Sequence, residues 1–360
     1  MSFTVTITNR SGVKLAEAYD ASSKKLTGIL NGAQTLSFAL RVDEPVTGHL
    51  EDGRVLAKAY IDGTLRFCGD LVTGDEQGDG EHDTITYTAT SALDRLKYRL
   101  VGKSREGLSY TDTPRNELIS DLIDLANADG DTGVRAGYLT PMSEVSEGPW
   151  RYKKVGEAIS ELASSYDGFD FRLSPTEPTP DDQGVMIARL FMEPSIGSFR
   201  QNVKFDYGDA TNTIASYKRG VAYSVRNKVY SLPQGFPDNA SQLVLSGEDT
   251  LSQARYGVRE DIVSSDLVSD ELRGQLLTQA LAVYGQPKQT LEVTLAETIP
   301  WQPFTDFNIG DLVTVNLWRV DRDGQRGLRL GMIARIYSMT IEEGTEGQQQ
   351  VSLGLVESAA

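Results

Sequence analysis

The sequence predicts a mainly β protein with an α+β insertion. Three observations lead to this prediction. Both ends of the chain contain short segments in which apolar and polar residues alternate, which is the pattern of a half-buried strand. One hairpin plan occurs near each end, at residues 50–73 and 307–337. Between the ends, residues 113–130 and 154–168 carry apolar residues at helical spacing.

Residues 1–98 are predicted as the first domain, a small barrel or sandwich of at least five strands. The strands follow from the alternation in FTVTIT, QTLSFALRV and TITYTAT and from the β-forming composition of the segment between them. Asp62 and Gly63 are predicted at a hairpin tip, because this pair accepts the positive φ angles of a two-residue turn. A short helical turn in SALDRLKYRL closes the domain.

Residues 99–200 are predicted as the α+β insertion. Its first helix should have Thr113 as N-cap and Pro114 at the first helical position, and should stop at Gly130. The predicted buried face of this helix contains Leu118, Ile119, Leu122, Ile123, Leu125 and Ala126. A second helix is predicted to bury Val155, Ile159, Leu162, Ala163 and Tyr166. Two strands, FDFRLS and GVMIARLFM, follow on either side of a Pro-rich acidic loop.

The remaining residues are predicted to build a second β domain around a helical segment. Residues 201–247 should supply its first strands, including NTIASYKRG and VRNKVYSLPQG, and residues 291–360 should complete it. Residues 248–290 form the helical segment, with one helix in EDTLSQARYG and a longer one after it. The longer helix is predicted to bury Leu272, Leu276, Leu277, Ala280 and Leu281.

The two hairpins align over five features, which indicates an internal duplication. Gly53 aligns with Gly310 at the start of a strand, and an Asp-Gly pair marks each tip, at residues 62–63 and 323–324. Gly69 then aligns with Gly331, and each hairpin continues into a Gly- and acid-rich loop and a final alternating strand. Similar hairpins also arise by chance in β proteins, and the shared order of the features favours duplication. The glycines, with Asp311 after Gly310, are predicted to form structural turns of the two hairpins, with no catalytic role.

Composition and charge restrict the possible functions. The formal net charge is −16 over 360 residues and the acidic residues are spread along the whole chain. Solubility is the simpler explanation of this acidity, and a surface past which DNA slides without sticking is the alternative. No basic patch with interleaved aromatic residues occurs, which disfavours tight binding to phosphate backbones. The single cysteine, Cys68, excludes an intrachain disulfide and is predicted as a buried apolar residue. The N-terminus lacks the pattern of a signal peptide and no segment has membrane-spanning length, so we expect folding in the cytoplasm without an anchor.

The search for catalytic or metal-binding motifs yields no specific candidate. His49 and His82 each lie in a polar turn with no second metal-ligating His or Cys nearby. The acidic segments DEQGDGEHD and NADGDTG suggest calcium loops but lack the required twelve-residue spacing, which favours acidic turns. Trp150, Trp301 and Trp318 could stack on sugars, although packing at the edge of a core is the commoner use. We therefore predict no catalytic residue, no cofactor and no metal.

The order of segments resembles the phage tail-hub family, the tail-tip or baseplate hub proteins of siphophages that are related to hubs of contractile injection systems. In the C-terminal half the resemblance rests on ARYGVRED, the helix ending ALAVYGQP, the strand QTLEVTL, the loop ETIPWQPFTDF and NIGDLVTV, with NTIASYKRG and NKVYSLPQG upstream. In the N-terminal half it rests on LTGILNGAQTLSFAL and TITYTATSALDRLKYRL. It covers nearly the whole chain as a loose pattern.

This resemblance implies two tube-type β-barrels per chain, one from residues 1–98 and one from residues 201–247 and 291–360. It also implies a homotrimer, in which six similar barrels form a pseudo-sixfold ring that docks on a hexameric tail ring. The expected partners are the distal tail protein ring, the tape-measure protein and tip or fibre proteins, with DNA only as non-specific cargo. The expected location is the tail tip of the virion, assembled in the host cytoplasm. Two alternatives stay open from the residues alone: a glycan hydrolase acting on cell wall or capsule, and a carbohydrate-binding adhesin.

Overall fold

A computed structural model describes residues 2–50, 55–78, 83–165, 168–176, 187–208, 212–222, 224–233, 244–265, 270–320, 326–343 and 348–357. The chain is mainly β, as predicted, with one large sheet that is mostly antiparallel. It divides into two compact units. The first contains the residues up to Tyr217 and those from Val293 onward, and the second contains Lys218–Glu292.

The N-terminal strands follow the alternation of the sequence. They are β1 (Phe3–Asn9), β2 (Lys14–Glu17), β3 (Ser22–Ile29), β4 (Thr35–Arg41), β5 (Val55–Ile61), β6 (Thr64–Gly78) and β7 (Asp83–Ser91), with the short helix α1 (Thr47–Leu50) after β4. Leu36, Phe38 and Leu40 on β4 all point into the core, because every second residue of a strand faces the same side. Asp62 and Gly63 join β5 to β6 with φ angles of 50° and 73°, which confirms the predicted two-residue turn.

The insertion has its own core of helices and short strands. Its elements are the 3₁₀ helix η1 (Ala92–Tyr98), β8 (Leu100–Val101), β9 (Leu108–Pro114), α2 (Arg115–Ala128), β10 (Val134–Leu139), β11 (Glu144–Trp150), β12 (Lys153–Lys154), α3 (Val155–Ser164), β13 (Asp170–Thr176) and β14 (Ile187–Glu193). Strands β10, β14 and β13 form a sheet in that order, and β9 pairs with β11. The buried faces of α2 and α3 share one apolar cluster with this sheet.

The start of α2 differs from the prediction. Thr113 and Pro114 are the last residues of β9, and the helix begins at Arg115 with no side-chain cap. The Thr113 hydroxyl donates to the carbonyl of Thr111 instead, since pairing with β11 holds this segment extended. On the predicted buried face, Leu125 is 38% exposed because it lies at the rim of the stripe that packs on the sheet. In α3, Val155, Ile159 and Leu162 are buried, Ala163 is half-buried, and Tyr166 lies outside the described residues.

The C-terminal part adds nine strands and two helices to the described structure. They are β15 (Phe199–Tyr207), β16 (Ile214–Ala222), β17 (Lys228–Pro233), β18 (Leu245–Glu248), α4 (Thr250–Tyr256), β19 (Glu260–Ser265), α5 (Asp270–Tyr284), β20 (Lys288–Leu295), β21 (Leu312–Val320), β22 (Arg326–Glu343) and β23 (Gln349–Glu357). Both helices lie inside the predicted helical segment, residues 248–290, but this segment also contains strand β19 and the start of β20. The Asp-Gly pair at residues 323–324 lies outside the described residues.

The second unit contains a separate three-stranded sheet. Its order is β18-β17-β19, so the segment NKVYSLP lies in this sheet rather than in the large one. Leu277 and Ala280 of α5 pack on Val229 of β17, with Leu281 half-buried beside them. Of the other residues predicted to be buried on this helix, Leu276 is half-buried and the side chain of Leu272 lies outside the described ones.

The large sheet contains the same strand order twice. Its path runs β16-β20-β23-β22-β3-β4-β7-β6-β5-β1-β2, and β21 pairs with β22 and β15 off this path. One set of five strands is therefore ordered β3-β4-β7-β6-β5 and the other β16-β20-β23-β22-β21. Because the strands also follow one another along the chain in the same order, both sets have one topology. We call them repeat 1 and repeat 2.

The long strand of each hairpin, β6 in repeat 1 and β22 in repeat 2, shows which residues of the two repeats are equivalent. Strand β6 pairs with β5 up to Asp70 and with β7 from Gly69 onward, and β22 changes partner from β21 to β23 in the same way at residues 334–335. Both ladders to the following strand contain nine pairs and one irregularity, which skips Val72 in β6 and Tyr337 in β22. This register makes Ala334 the equivalent of Gly69, three residues beyond the Gly331 of the sequence alignment, because a glycine match is a weaker constraint than a strand ladder.

Candidate functional site

The two repeats meet where β22 pairs with β3. The ladder is antiparallel and runs from Ser338 opposite Ile29 to Glu342 opposite Lys25. Two ion pairs cross it, Lys24–Glu343 at 2.8 Å and Lys25–Glu342 at 3.6 Å, and the hydroxyls of Thr27 and Thr340 lie 3.1 Å apart. We call this ladder the junction.

The junction is apolar on one face and charged at its end. Met339 and Ile341 on β22 and Leu26 on β3 are all buried. Lys24 is 8% exposed, and its ammonium also donates to the carbonyl of Phe3 at 3.1 Å. A buried ammonium with both a carboxylate and a carbonyl partner avoids the desolvation cost of an isolated charge. The junction therefore combines apolar burial with a charge pair that fixes its register.

The predicted turn at Gly310 and Asp311 forms the entry to β21. Gly310 has a φ of 95°, and a Cβ there would lie 2.5 Å from the Ile196 carbonyl oxygen, so both its conformation and its surroundings require glycine. The Asp311 carboxylate is 1% exposed and accepts from the backbone N–H groups of Ser198 and Asn308 at 2.8 and 2.9 Å.

A guanidinium from each side completes this turn. Arg200 Nε donates to Asp311 Oδ2 at 2.8 Å. Arg335 on β22 donates to the Gly310 carbonyl at 3.1 Å, to the Ile196 carbonyl at 2.7 Å and to the carboxylate of Asp170 on β13. The arrangement fixes the start of the repeat 2 hairpin and ties it to the insertion. Neither arginine was predicted from the sequence, since the acidic partner of each lies more than a hundred residues away along the chain.

The other glycines predicted as hairpin turns lie inside strands. Gly69 is buried in β6, where a Cβ would lie 2.0 Å from the Thr90 carbonyl oxygen, so its role is close approach between strands. Gly331 lies in β22 opposite Asn316, where a Cβ would meet Leu328 at 3.0 Å. Gly53 lies outside the described residues.

The residues considered for chemistry are placed in structural roles. In the segment NADGDTG, the side chain of Asn127 accepts from Thr132 and donates to the Val134 carbonyl, and Asp131 pairs with Arg135. Hydrogen bonding to Arg135 is the largest effect lowering the pKa of the Asp131 carboxyl. No group of three or more His, Cys, Asp or Glu able to hold a metal occurs among the residues that the structure describes. The segment DEQGDGEHD, predicted as an acidic turn, is partly strand, because residues 75–78 belong to β6 and Asp83 begins β7. Its residues 79–82, which include His82, lie outside the described residues.

The remaining candidates also contribute to packing. His49 is exposed in α1, and the side chain of Cys68 is buried, as predicted. Trp150 packs edge-on against Tyr110, and Trp301 against Phe205, with ring centroids 5.7 and 5.8 Å apart. Within the described part of the chain no helix has the length and apolarity that a membrane span requires.

Comparison with known proteins identifies the fold. No protein-family model and no curated protein matches the sequence. Among solved structures, a tail protein from Neisseria meningitidis aligns with a TM-score of 0.64 and 15% identity, over 99% of this chain and 97% of that chain. The 43 kDa tail protein of prophage MuSo2 from Shewanella oneidensis aligns with a TM-score of 0.64 and 14% identity, over 98% of each chain. The prophage tail protein gp18 from Listeria monocytogenes aligns with a TM-score of 0.56 and 11% identity, over 98% of this chain and 94% of that chain. The chain thus shares its fold, along nearly its full length, with phage tail proteins, which confirms the predicted resemblance at the level of the fold.

Proposed function

We propose that this chain is a structural virion protein, the trimeric hub at the tail tip or baseplate of a phage. In this role it closes or continues the tail tube, docks on the distal tail ring and the end of the tape-measure protein, and carries tip or fibre proteins. The fold shared with three tail proteins along almost the whole chain supports the tail location. The single observation that carries the hub role is the repeated strand order within one chain.

The repeat supports a trimer through symmetry. A tail tube ring of six identical subunits presents six equal docking positions, and a chain with one β module would match it only as a hexamer. A chain with two modules matches the same six positions with three copies. The junction between β22 and β3 supports this arrangement, because it joins the modules side by side through strand pairing within one chain.

The charge of the chain supports a passage for DNA. The formal net charge of −16 repels the phosphate backbone, so a lumen with this sign lets DNA pass without binding it. Within the proposal DNA is cargo and no sequence is recognised. The chain has no catalytic part in the proposal, so any digestion of the cell wall falls to another tail component.

Two measurements test the proposal. Multi-angle light scattering of the purified chain should give a species of three times the 39.4 kDa chain mass, and its complex with the ring-forming tail protein of the same phage should contain three copies of this chain per ring. Electron microscopy of phage particles labelled with an antibody to this chain should then place the label at the distal end of the tail. Antibody absorbed beforehand with the purified chain serves as the control.

Two outcomes would contradict the proposal. Label on the capsid or along the tail shaft would remove the chain from the tip. A species that stays monomeric with and without the ring protein would remove the trimeric hub.

A further inference from the structure

We infer that the C-terminal half of β6 pairs, antiparallel, with β16 of a second copy of this chain and repeats the junction between subunits. We call residues 72–78 of β6 the acceptor edge and β16 (Ile214–Ala222) the donor edge. The inference deepens the proposed trimeric hub and rests on it for the number of copies. Its physical basis, the two repeats and their junction, is independent of that function.

The acceptor edge of β6 is equivalent to the part of β22 that pairs with β3 in the junction. On β22, β21 pairs only as far as Arg335, and β3 fills the same side from Ser338 onward. On β6, β5 pairs only as far as Asp70, and no described strand follows on that side. Gly74 and Glu76 of the acceptor edge are exposed, whereas the equivalent Met339 and Ile341 are buried beneath the junction. Among the residues that the structure describes, repeat 1 therefore has the pairing position of repeat 2 without its occupant.

The donor edge is the counterpart of β3. Both strands stand first in their repeats, and β16 ends the path of the large sheet among the described strands. The backbone bond from Ala296 to Thr213 and the ion pair between Lys218 and Glu292 at 3.7 Å place β16 antiparallel to β20.

The register of the donor edge follows from repeat 1. The hydroxyl of Thr294 on β20 contacts that of Ser352 on β23, and Ser352 is the equivalent of Thr86 on β7. Because Ala39 on β4 lies opposite Thr86, Thr294 is the equivalent of Ala39. Glu292 is then equivalent to Ser37, whose partner on β3 is Lys25. Lys218 is thus the equivalent of Lys25.

Transferring the junction by these equivalences gives a definite intermolecular ladder. Thr340 opposite Thr27 becomes Asp75 opposite Gly220. Ile341 opposite Leu26 becomes Glu76 opposite Arg219, and Glu342 opposite Lys25 becomes Gln77 opposite Lys218.

In this ladder, with the register transferred unchanged from the junction, acidic residues of one subunit lie beside basic residues of the other. Glu76 faces Arg219 directly, and Asp75 lies diagonal to Lys218 on the other face of the paired strands. Both acids are on the acceptor edge and both bases on the donor edge, the same polarity as Glu342 and Glu343 against Lys25 and Lys24 in the junction. Two independent features therefore select the same partner, a second copy of this chain: a strand edge left unpaired by the described strands, and charge complementarity.

The contact is heterologous, since each subunit presents one acceptor and one donor edge. Such contacts propagate until a ring closes. With three subunits, three internal junctions alternate with three intermolecular ones around six repeats.

Disulfide trapping tests the register. A chain carrying Glu76→Cys and Arg219→Cys should form intersubunit disulfides on mild oxidation, giving dimers and trimers on a non-reducing gel. The matched control carries Gln77→Cys and Arg219→Cys, which the ladder places on opposite faces and which should stay unlinked. Chains that carry only one of the added cysteines beside Cys68 control for reaction with this native thiol.

Charge exchange supplies a second test that needs no disulfide geometry. Glu76→Arg places like charges opposite each other and should weaken self-association about tenfold. Adding Arg219→Glu in the same chain should restore it. Circular dichroism of each variant checks folding.

The outcomes separate the pairing from the hub. Trimers in light scattering with no disulfide at 76 and 219 and no effect of Glu76→Arg would overturn the pairing and leave the hub standing. Disulfide-linked chains of four or more copies would keep the pairing and contradict the trimeric ring. Equal trapping in the control chain would overturn the register, and a chain that neither traps nor associates at any concentration would overturn the pairing outright.

Discussion

Replacing Asp311 should destabilise the first unit far more than its single position in a loop suggests. In Asp311→Ala the N–H groups of Ser198 and Asn308 lose a carboxylate acceptor at 2.8 and 2.9 Å. Hydrogen bonds to a charged group contribute about 1.5–3 kcal/mol each, and water reaches both donors in part, so the lower end applies. The ion pair with Arg200 adds less than about 1 kcal/mol, because that side chain is 41% exposed. The free energy of unfolding should fall by about 3–4 kcal/mol.

Two milder variants separate the contribution of the Asp311 carboxylate from that of its ion pair with Arg200. Asp311→Asn keeps the shape and one accepting oxygen but turns an N–H donor toward the backbone N–H of Ser198, which should cost about 2 kcal/mol. Arg200→Ala removes only the exposed partner and should cost less than about 1 kcal/mol. The surface variant Asp129→Asn, which loses an exposed contact with Lys103, is the matched control and should fall in the same small range.

Urea unfolding followed by tryptophan fluorescence measures these differences. Trp150, Trp301 and Trp318 all belong to the first unit, so the signal reports the unit that contains Asp311. Far-UV circular dichroism checks whether the second unit unfolds separately. If Asp311→Ala costs no more than Arg200→Ala, the turn is not held by its carboxylate and the account of this site is refuted.

Two further predictions concern the packing of β6 and of the insertion. Gly69→Ala should cost about 3 kcal/mol, because the added methyl would overlap the Thr90 carbonyl, whereas Gly327→Ala, with open space around it, should be nearly neutral in the same urea assay. The pKa of the Tyr110 phenol is raised, first by burial and then by its hydrogen bond to the Asp121 carboxylate. Above the ordinary tyrosine pKa of about 10, the folded chain therefore keeps a proton that the unfolded chain releases, so stability falls as pH rises through that value. Tyr110→Phe should reduce this alkaline loss, and an unchanged pH profile of unfolding would contradict it.

The parts of the fold that sequence analysis predicted are those encoded locally. Alternation alone located β4 and β7, since one face of each strand packs in the core. The Asp62–Gly63 turn was equally accessible, because its positive φ angles restrict the residue types that fit. The helices of the insertion followed from apolar spacing.

The parts that were missed depend on partners distant in the chain. The strand at β17 has the alternation of its neighbours, and only pairing with β18 and β19 places it in another sheet. Arg335 contacts Asp170, which lies 165 residues earlier, so no local sequence pattern predicts this pair. The repeated hairpin was visible in the sequence, but its alignment was displaced by three residues at Gly69, because strand ladders and not glycines define equivalent positions.

The internal junction and the intermolecular one differ in chemistry because the first forms during folding and the second only when subunits meet. The internal junction forms as the chain folds, at the high effective concentration of a tethered strand, so it can bury Met339 and Ile341. The acceptor and donor edges must instead stay in water until another subunit arrives, and an exposed apolar strand edge would pair with any other edge. Charge on both edges prevents this, since Glu76 repels another acceptor edge and Arg219 repels another donor edge, while each attracts the other. Divergence between the repeats is therefore expected to be greatest at these positions. Glu76→Ile, which matches Ile341 of the junction, should convert ordered self-association into aggregation that light scattering detects as a continuous increase in mass. If that variant stays as soluble and as uniform in size as the unchanged chain, the charges on the edge have no such protective role.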